Sequence, residues 1–311
     1  MKKRRFPVVK PWQVLVSVVL VLSAGAAGFW WYLQGKNIAT LNPQGIVGQN
    51  EKNLILFTLL LSAIVIVPVY AMLITFAWRY RETNTKAKYT PDVDSNRWFE
   101  ALWWGIPIVI IGILVVVTWV SSYQLDPYKP LSSKVKPINV EVVALQWKWL
   151  FIYPDQHVAT VNELKIPSGT PVHFDITADA PMSAFWIPSL GTQTYAMPGM
   201  SMQLNLEADH PGIYRGTNSN INGSGYAKMD FSVDALPLRR DFDNWVSAIV
   251  NNPEHDHMAA DEYEALAKPG TEVTPSYYHL HDSNLYNEIL DKYDGNGSMM
   301  KQSLAHDGGE Q

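Results

Sequence analysis

The chain has 311 residues, a formal net charge of −5, a 47% hydrophobic composition and no cysteine. The missing thiols exclude disulfides, thiolate metal sites, redox-active thiols and a lipid-modified N-terminal cysteine. The mild acidity, with basic residues clustered only at Lys2, Lys3, Arg4, Arg5 and Lys10, argues against a nucleic-acid partner.

Charged residues are absent from 11–35, 53–78 and 101–125. Roughly 20 apolar residues cross a bilayer, and a buried helix of a soluble protein normally keeps a charged face. The second and third runs therefore predict a transmembrane helical hairpin within residues 50–125. Pro68 and Pro107 fall inside it and are tolerated because neighbouring helices can satisfy the freed backbone groups. The first run, within residues 1–36, reads two ways. It is a signal peptide cut near Ala24-Gly25-Ala26, or a third helix lengthened by the aromatic belt Phe29-Trp30-Trp31-Tyr32. The 79–97 loop carries Arg79, Arg81, Lys86, Lys88 and Arg97, so the positive-inside rule puts it in the cytoplasm. Everything from Asp126 onward is then expected outside.

From Ile138 the hydrophobic period shortens. Segments 138–145, 160–166, 171–177, 201–206, 212–214 and 228–233 are short and rich in β-branched or alternating apolar residues, so each predicts a strand. Turn residues punctuate them at Pro167-Ser168-Gly169 and Asp209-His210-Pro211-Gly212. Many short strands imply an all-β sandwich or barrel over residues 126–236. Residues 237–294 then predict short helices at 241–250, 261–267 and 285–293, with Tyr277, Tyr278 and Tyr286 among them. The polar stretch 295–311 predicts disorder. No repeat is visible, and no hydrolytic triad or phosphate loop stands out.

Three segments carry a resemblance. The first reads Met182-Ser183-Ala184-Phe185-Trp186-Ile187-Pro188-Ser189-Leu190-Gly191 and continues to Met197-Pro198-Gly199-Met200. The second runs from Gly216 through Asn218, Asn222 and Tyr226 to Met229. The third is Gln146-Trp147-Lys148-Trp149-Leu150-Phe151-Ile152-Tyr153-Pro154. Together they resemble subunit II of the haem–copper oxidases, where the first two segments are loops around a dinuclear copper. The resemblance implies a cupredoxin-like Greek-key barrel. It places the family's copper ligands at Ser183, Asn218, Asn222, Tyr226 and Met229, of which only Met229 keeps a metal-binding side chain. None of the eight histidines falls on a family ligand position.

A dinuclear copper relay needs two thiolates and two imidazoles, so the chain is expected to bind no copper there and to carry no cofactor of its own. The resemblance is strongest to quinol oxidases of the cytochrome bo type. It implies quinol oxidation coupled to O2 reduction and proton pumping, with the haems and one copper in subunit I. It also implies association with subunits I, III and IV, and with membrane quinol, ubiquinol first, through subunit I. The location implied is the bacterial inner membrane with a periplasmic C-terminal domain.

Glu100, in Arg97-Trp98-Phe99-Glu100-Ala101-Leu102-Trp103-Trp104-Gly105-Ile106-Pro107, resembles a carboxylate at the cytoplasmic mouth of a proton pathway; Gly105 departs from the usual threonine. The alternative is a solvated acid at the lipid interface. Trp147 sits where cytochrome c-oxidising relatives accept electrons; without copper the aromatic segment is expected to dock the barrel onto subunit I. His255-x-His257 and His279-x-His281 could touch a divalent ion or be exposed loop histidines. Met182, Met197, Met200, Met202 and Met229 could form a thioether cluster or fill the space left by the metal. Two rivals are a cytochrome c oxidase subunit II, which the missing ligands disfavour, and a membrane-anchored cupredoxin-like binding or assembly protein.

Overall fold

A computed structural model describes residues 11–33, 38–82, 84–85, 96–252, 257–271, 274–280 and 284–293. The expected tail at 295–311, most of the 79–97 loop, His255 and His281 lie outside them. The described residues divide into two compact units.

The first unit is helical. It contains α1 (Pro11–Leu33) and most of α2 (Ile46–Arg79) and α3 (Arg97–Gln124). The latter two are long and apolar enough to cross a membrane, and their most apolar stretches are unburied within the chain. Such a surface is soluble only in lipid or against another apolar protein. Pro68 and Pro107 lie inside these helices. Asn96 caps α3: its side-chain oxygen accepts the N–H of Trp98 at 2.9 Å, and its carbonyl accepts that of Glu100 at 2.9 Å. At the far end of α2, the Arg81 guanidinium stacks 4.6 Å above the Trp78 ring.

The second unit holds residues 39–52 and 123 onward. Its strands are β1 (Ile138–Leu145), β2 (Lys148–Tyr153), β3 (Val158–Val161), β4 (Glu163–Pro167), β5 (Val172–Ala178), β6 (Ser183–Trp186), β7 (Gln193–Ala196), β8 (Met202–Leu206), β9 (Gly212–Asn218) and β10 (Asp230–Leu236). After α4 (Arg239–Val250) come β11 (His257–Met258), α5 (Ala260–Ala267), β12 (Ser276–Leu280) and α6 (Leu285–Asp291). One sheet runs β11-β12-β3-β2-β1-β5-β8; the other runs β4-β10-β9-β6-β7. The two close face to face over one core. Aromatic rings cross between them: Trp149 meets Phe231 at 5.6 Å, and Phe174 meets Phe185 at 5.4 Å. Within the second sheet, Phe185 stacks on Phe231 at 5.2 Å.

The docking role expected for the aromatic segment of β2 is corrected by the structure. Trp149, Phe151 and Tyr153 are fully buried in the core of this chain's own sandwich. The expected strand 160–166 is also two strands. Asn162 takes a left-handed conformation (φ 56°) between β3 and β4 and bonds the Trp149 backbone through both its N–H and its side-chain oxygen.

Leu150 and Ile152 point the opposite way, into a second core with Val143, Leu145, Ala159 and Val161. That core is closed by the C-terminal extension through Met258, Tyr263, Leu280, Leu285, Tyr286 and Ile289. Two polar anchors hold the extension. Buried Lys148 donates to the carbonyls of Leu266 at 2.6 Å and Lys268 at 2.9 Å, capping the end of α5. Asp179 accepts from Tyr263, Lys292 and Tyr293. Burial alone would raise its pKa, but these donors outweigh burial and hold the carboxyl below the usual aspartate range.

A polar stripe crosses the same outer face. Glu141 stands opposite Asp175 in parallel register, and Tyr286 bonds Ser201 at 2.8 Å beside them. Burial, then repulsion from Asp175, push Glu141 up to about 7. A carboxyl with a raised folded pKa destabilises the fold once it must ionise, so its cost appears as pH rises above the unfolded value. Glu141→Gln is therefore expected to leave the melting temperature unchanged near pH 4. Above pH 7 it should raise stability by about 1 kcal/mol after solvent screening, read by thermal melts at both pH values.

Candidate functional site

The family's ligand positions are assembled by β6, the end of β9 and the loop that follows it. Strand β6 pairs with β9 so that Phe185 faces Asn218. This brings Ser183 beside the loop running to Met229. Ser183, Asn218, Asn222 and Met229 are all buried. Asn218 is fixed by its acceptor side: its Oδ1 takes the N–H of Ala184 at 2.9 Å and of Asn220 at 3.0 Å. Its amide N–H must then face inward, and it donates to the Met229 sulfur at 3.4 Å. Asn222 donates to the Ser183 hydroxyl at 2.8 Å and approaches the same sulfur at 3.6 Å. Ser183 donates its own hydroxyl hydrogen bond to the Pro181 carbonyl at 3.2 Å.

Two of the positions, Asn218 and Asn222, therefore converge on the Met229 thioether, and Ser183 joins them through Asn222. Tyr226 does not: it is 38% exposed on a short 3₁₀ turn at Tyr226–Lys228.

Two tryptophans that the ligand pattern does not name form the walls. Trp149 donates its indole N–H to the Met229 carbonyl at 3.3 Å. The Trp147 ring lies against the loop's glycines. A Cβ on Gly225 would come within 2.2 Å of it, and one on Gly223 within 3.0 Å. Gly223 also has φ of 125°, which bulky residues avoid. The Gly-Ser-Gly spacing is the available sign that a large ring covers this loop.

The set does not fit copper. A cation at the centre would meet amide N–H donors where the relay needs thiolates and imidazoles. The sulfur's lone pairs already accept from two amides. The one leftover acceptor is Asn222 Oδ1, buried without a hydrogen-bond partner among the described residues, and it is a hard, neutral oxygen. Of the two readings of the methionines, Met229 fits the space-filling one. Met182 and Met200 are 41% and 50% exposed, and Met229 fills the ligand space.

Glu100 lies in the first turn of α3, exposed and one turn past the Asn96 cap. The two His-x-His motifs meet through one residue each: His257 and His279 face each other at 3.2 Å between Nδ1 atoms.

The profile of the family "Cytochrome C oxidase subunit II, periplasmic domain" matches residues 117–236, and that of the "COX Aromatic Rich Motif" matches 254–297. The chain is 43% identical over 265 residues to "Cytochrome bo(3) ubiquinol oxidase subunit 2" of Pseudomonas aeruginosa, covering 85% of this chain and 79% of that one. It is 45% identical over 263 residues to the protein of the same name from Pseudomonas putida, covering 85% and 83%. It is 41% identical over 273 residues to "Ubiquinol oxidase subunit 2" of Acetobacter aceti, covering 87% of each. The chain belongs to the quinol oxidase subunit 2 family. Membership agrees with a ligand frame rebuilt from neutral hydrogen-bonding groups.

Asn218 ties both ligand loops to the thioether. Asn218→Ala leaves the Ala184 and Asn220 N–H groups without their acceptor and is expected to destabilise the sandwich by about 2–4 kcal/mol. Thermal melting measures the loss, and copper analysis of the same sample should show an unchanged metal content.

Proposed function

We propose that this chain is the membrane-anchored subunit II of a proton-pumping terminal quinol oxidase, and that it acts there without a copper relay. The hydrogen-bonded plug around Met229 carries this reading, because it occupies the frame with groups that cannot pass electrons. Two membrane quinols would then be oxidised to quinones, releasing four protons and supplying, through the haems and one copper that subunit I would hold, the four electrons that with four protons reduce O2 to two waters. Ubiquinol is the donor favoured by the names of the relatives. Subunits III and IV complete the assembly in the bacterial inner membrane, with the sandwich in the periplasm.

In this arrangement the chain's residues work by position. The apolar surfaces of α2 and α3 face lipid and subunit I. Arg79, Arg81 and Arg97 hold the connecting loop on the cytoplasmic side. Glu100, exposed in the first turn of α3, collects protons from the cytoplasm and passes them toward subunit I. The face around the plug is poorly suited to a basic electron-carrier protein: residues 182–200 contain no charge, and residues 216–229 contain only Lys228. Such a partner would be steered by carboxylates. The lack of them here weighs against the cytochrome c oxidase alternative.

Purified complex is expected to oxidise ubiquinol and to ignore reduced cytochrome c, with one copper per complex. Turnover on cytochrome c, or two further coppers in this chain, would reverse the assignment. A chain that isolates alone and haem-free would support the assembly-protein rival. Glu100→Ala is expected to lower quinol turnover with full haem content; turnover equal to wild type removes Glu100 from the proton path.

A further inference from the structure

We propose that His257 and His279 form a two-imidazole seat for a divalent transition ion of the zinc class, on the outer edge of the seven-stranded sheet. Strands β11 and β12 run parallel, and their register sets His257 directly against His279. The next pair in register, Met258 and Leu280, is buried in the second core. Alternation along a strand then turns both histidines away from that core, on the same side of the ladder. Their backbones are held independently of any ion. Leu280 N–H donates to the His157 carbonyl at 2.9 Å, and Ala259 N–H donates to the His257 carbonyl at 2.9 Å. Strand β12 is also paired with β3 from Ser276 to His279.

The rings stand nearly perpendicular, at 86°, with Nδ1 atoms 3.2 Å apart. Two imidazole nitrogens bound to one ion at about 2.0–2.1 Å stand roughly 3.2–3.4 Å apart at near-tetrahedral angles. The seat is thus spaced for the ion before the ion arrives. Two N–H groups cannot face each other at this distance, so at least one Nδ1 presents its lone pair. Imidazole suits zinc, copper and nickel, and discriminates against magnesium and calcium. His257 is exposed, so an ion can reach the pair from solvent. This seat is separate from the Met229 plug, and it is built from the sheet that the C-terminal extension completes.

The test uses tag-free, full-length chain in its purified complex, stripped with chelator and dialysed against micromolar Zn2+. The wild type should hold one more zinc per chain than a His257→Gln/His279→Gln variant. Zinc-edge X-ray absorption on the wild type alone should report imidazole scattering, so the result does not hang on the variant's assembly. Equal zinc in both proteins, or bound zinc without imidazole scattering, overturns the proposal.

Discussion

Strand β2 has no solvent face, and the architecture of the sandwich unit follows from that. Trp149, Phe151 and Tyr153 feed the core between the sheets, while Leu150 and Ile152 feed the core beneath the C-terminal extension. A sheet of this kind cannot stop at the sandwich. Without α5, β12 and α6, a patch of fully apolar strand would face water. At about 25 cal/mol per Å2 that burial decides whether the sheet stays soluble. The extension is therefore a second half of the fold, and Lys148 and Asp179 set its register with charged hydrogen bonds.

The same strand supplies the wall of the ligand frame. Because Trp149 is locked between Phe185 and Phe231, its indole N–H is aimed at the Met229 carbonyl. The frame thus keeps its shape without metal chemistry. Neutral donors take the place of a charged metal cluster at little electrostatic cost, since no ion has to be desolvated. Absent metal ligands and a retained fold are compatible because the aromatic packing and the Asn218 bonds hold the loops in place.

Legibility in the sequence depends on periodicity. The spans are plain, since an apolar, charge-free run long enough to cross a bilayer seldom serves another purpose. Strands β1, β5 and β8 are readable where apolar residues recur. Strand β2 is not: burial on both faces erases the alternation that identifies a strand, so its aromatics resemble a docking surface. Strands β6 and β7 are hidden inside the ligand motif, which draws attention to side chains over backbone. The ligand positions themselves are legible by spacing. That Tyr226 turns outward is not, because spacing says nothing about the room available for a phenol. The meeting of His257 with His279 depends on pairing between segments some twenty residues apart, which no local pattern encodes.

The Met229 thioether is shielded from oxidants. The residue is buried, and its sulfur's lone pairs are occupied by two amides. Sulfoxidation needs an accessible lone pair. Met182 and Met200, exposed on the neighbouring loops, offer one freely. Peroxide formed near an O2-consuming membrane would meet those two side chains first. Sulfoxides there would be reducible and would leave the core intact.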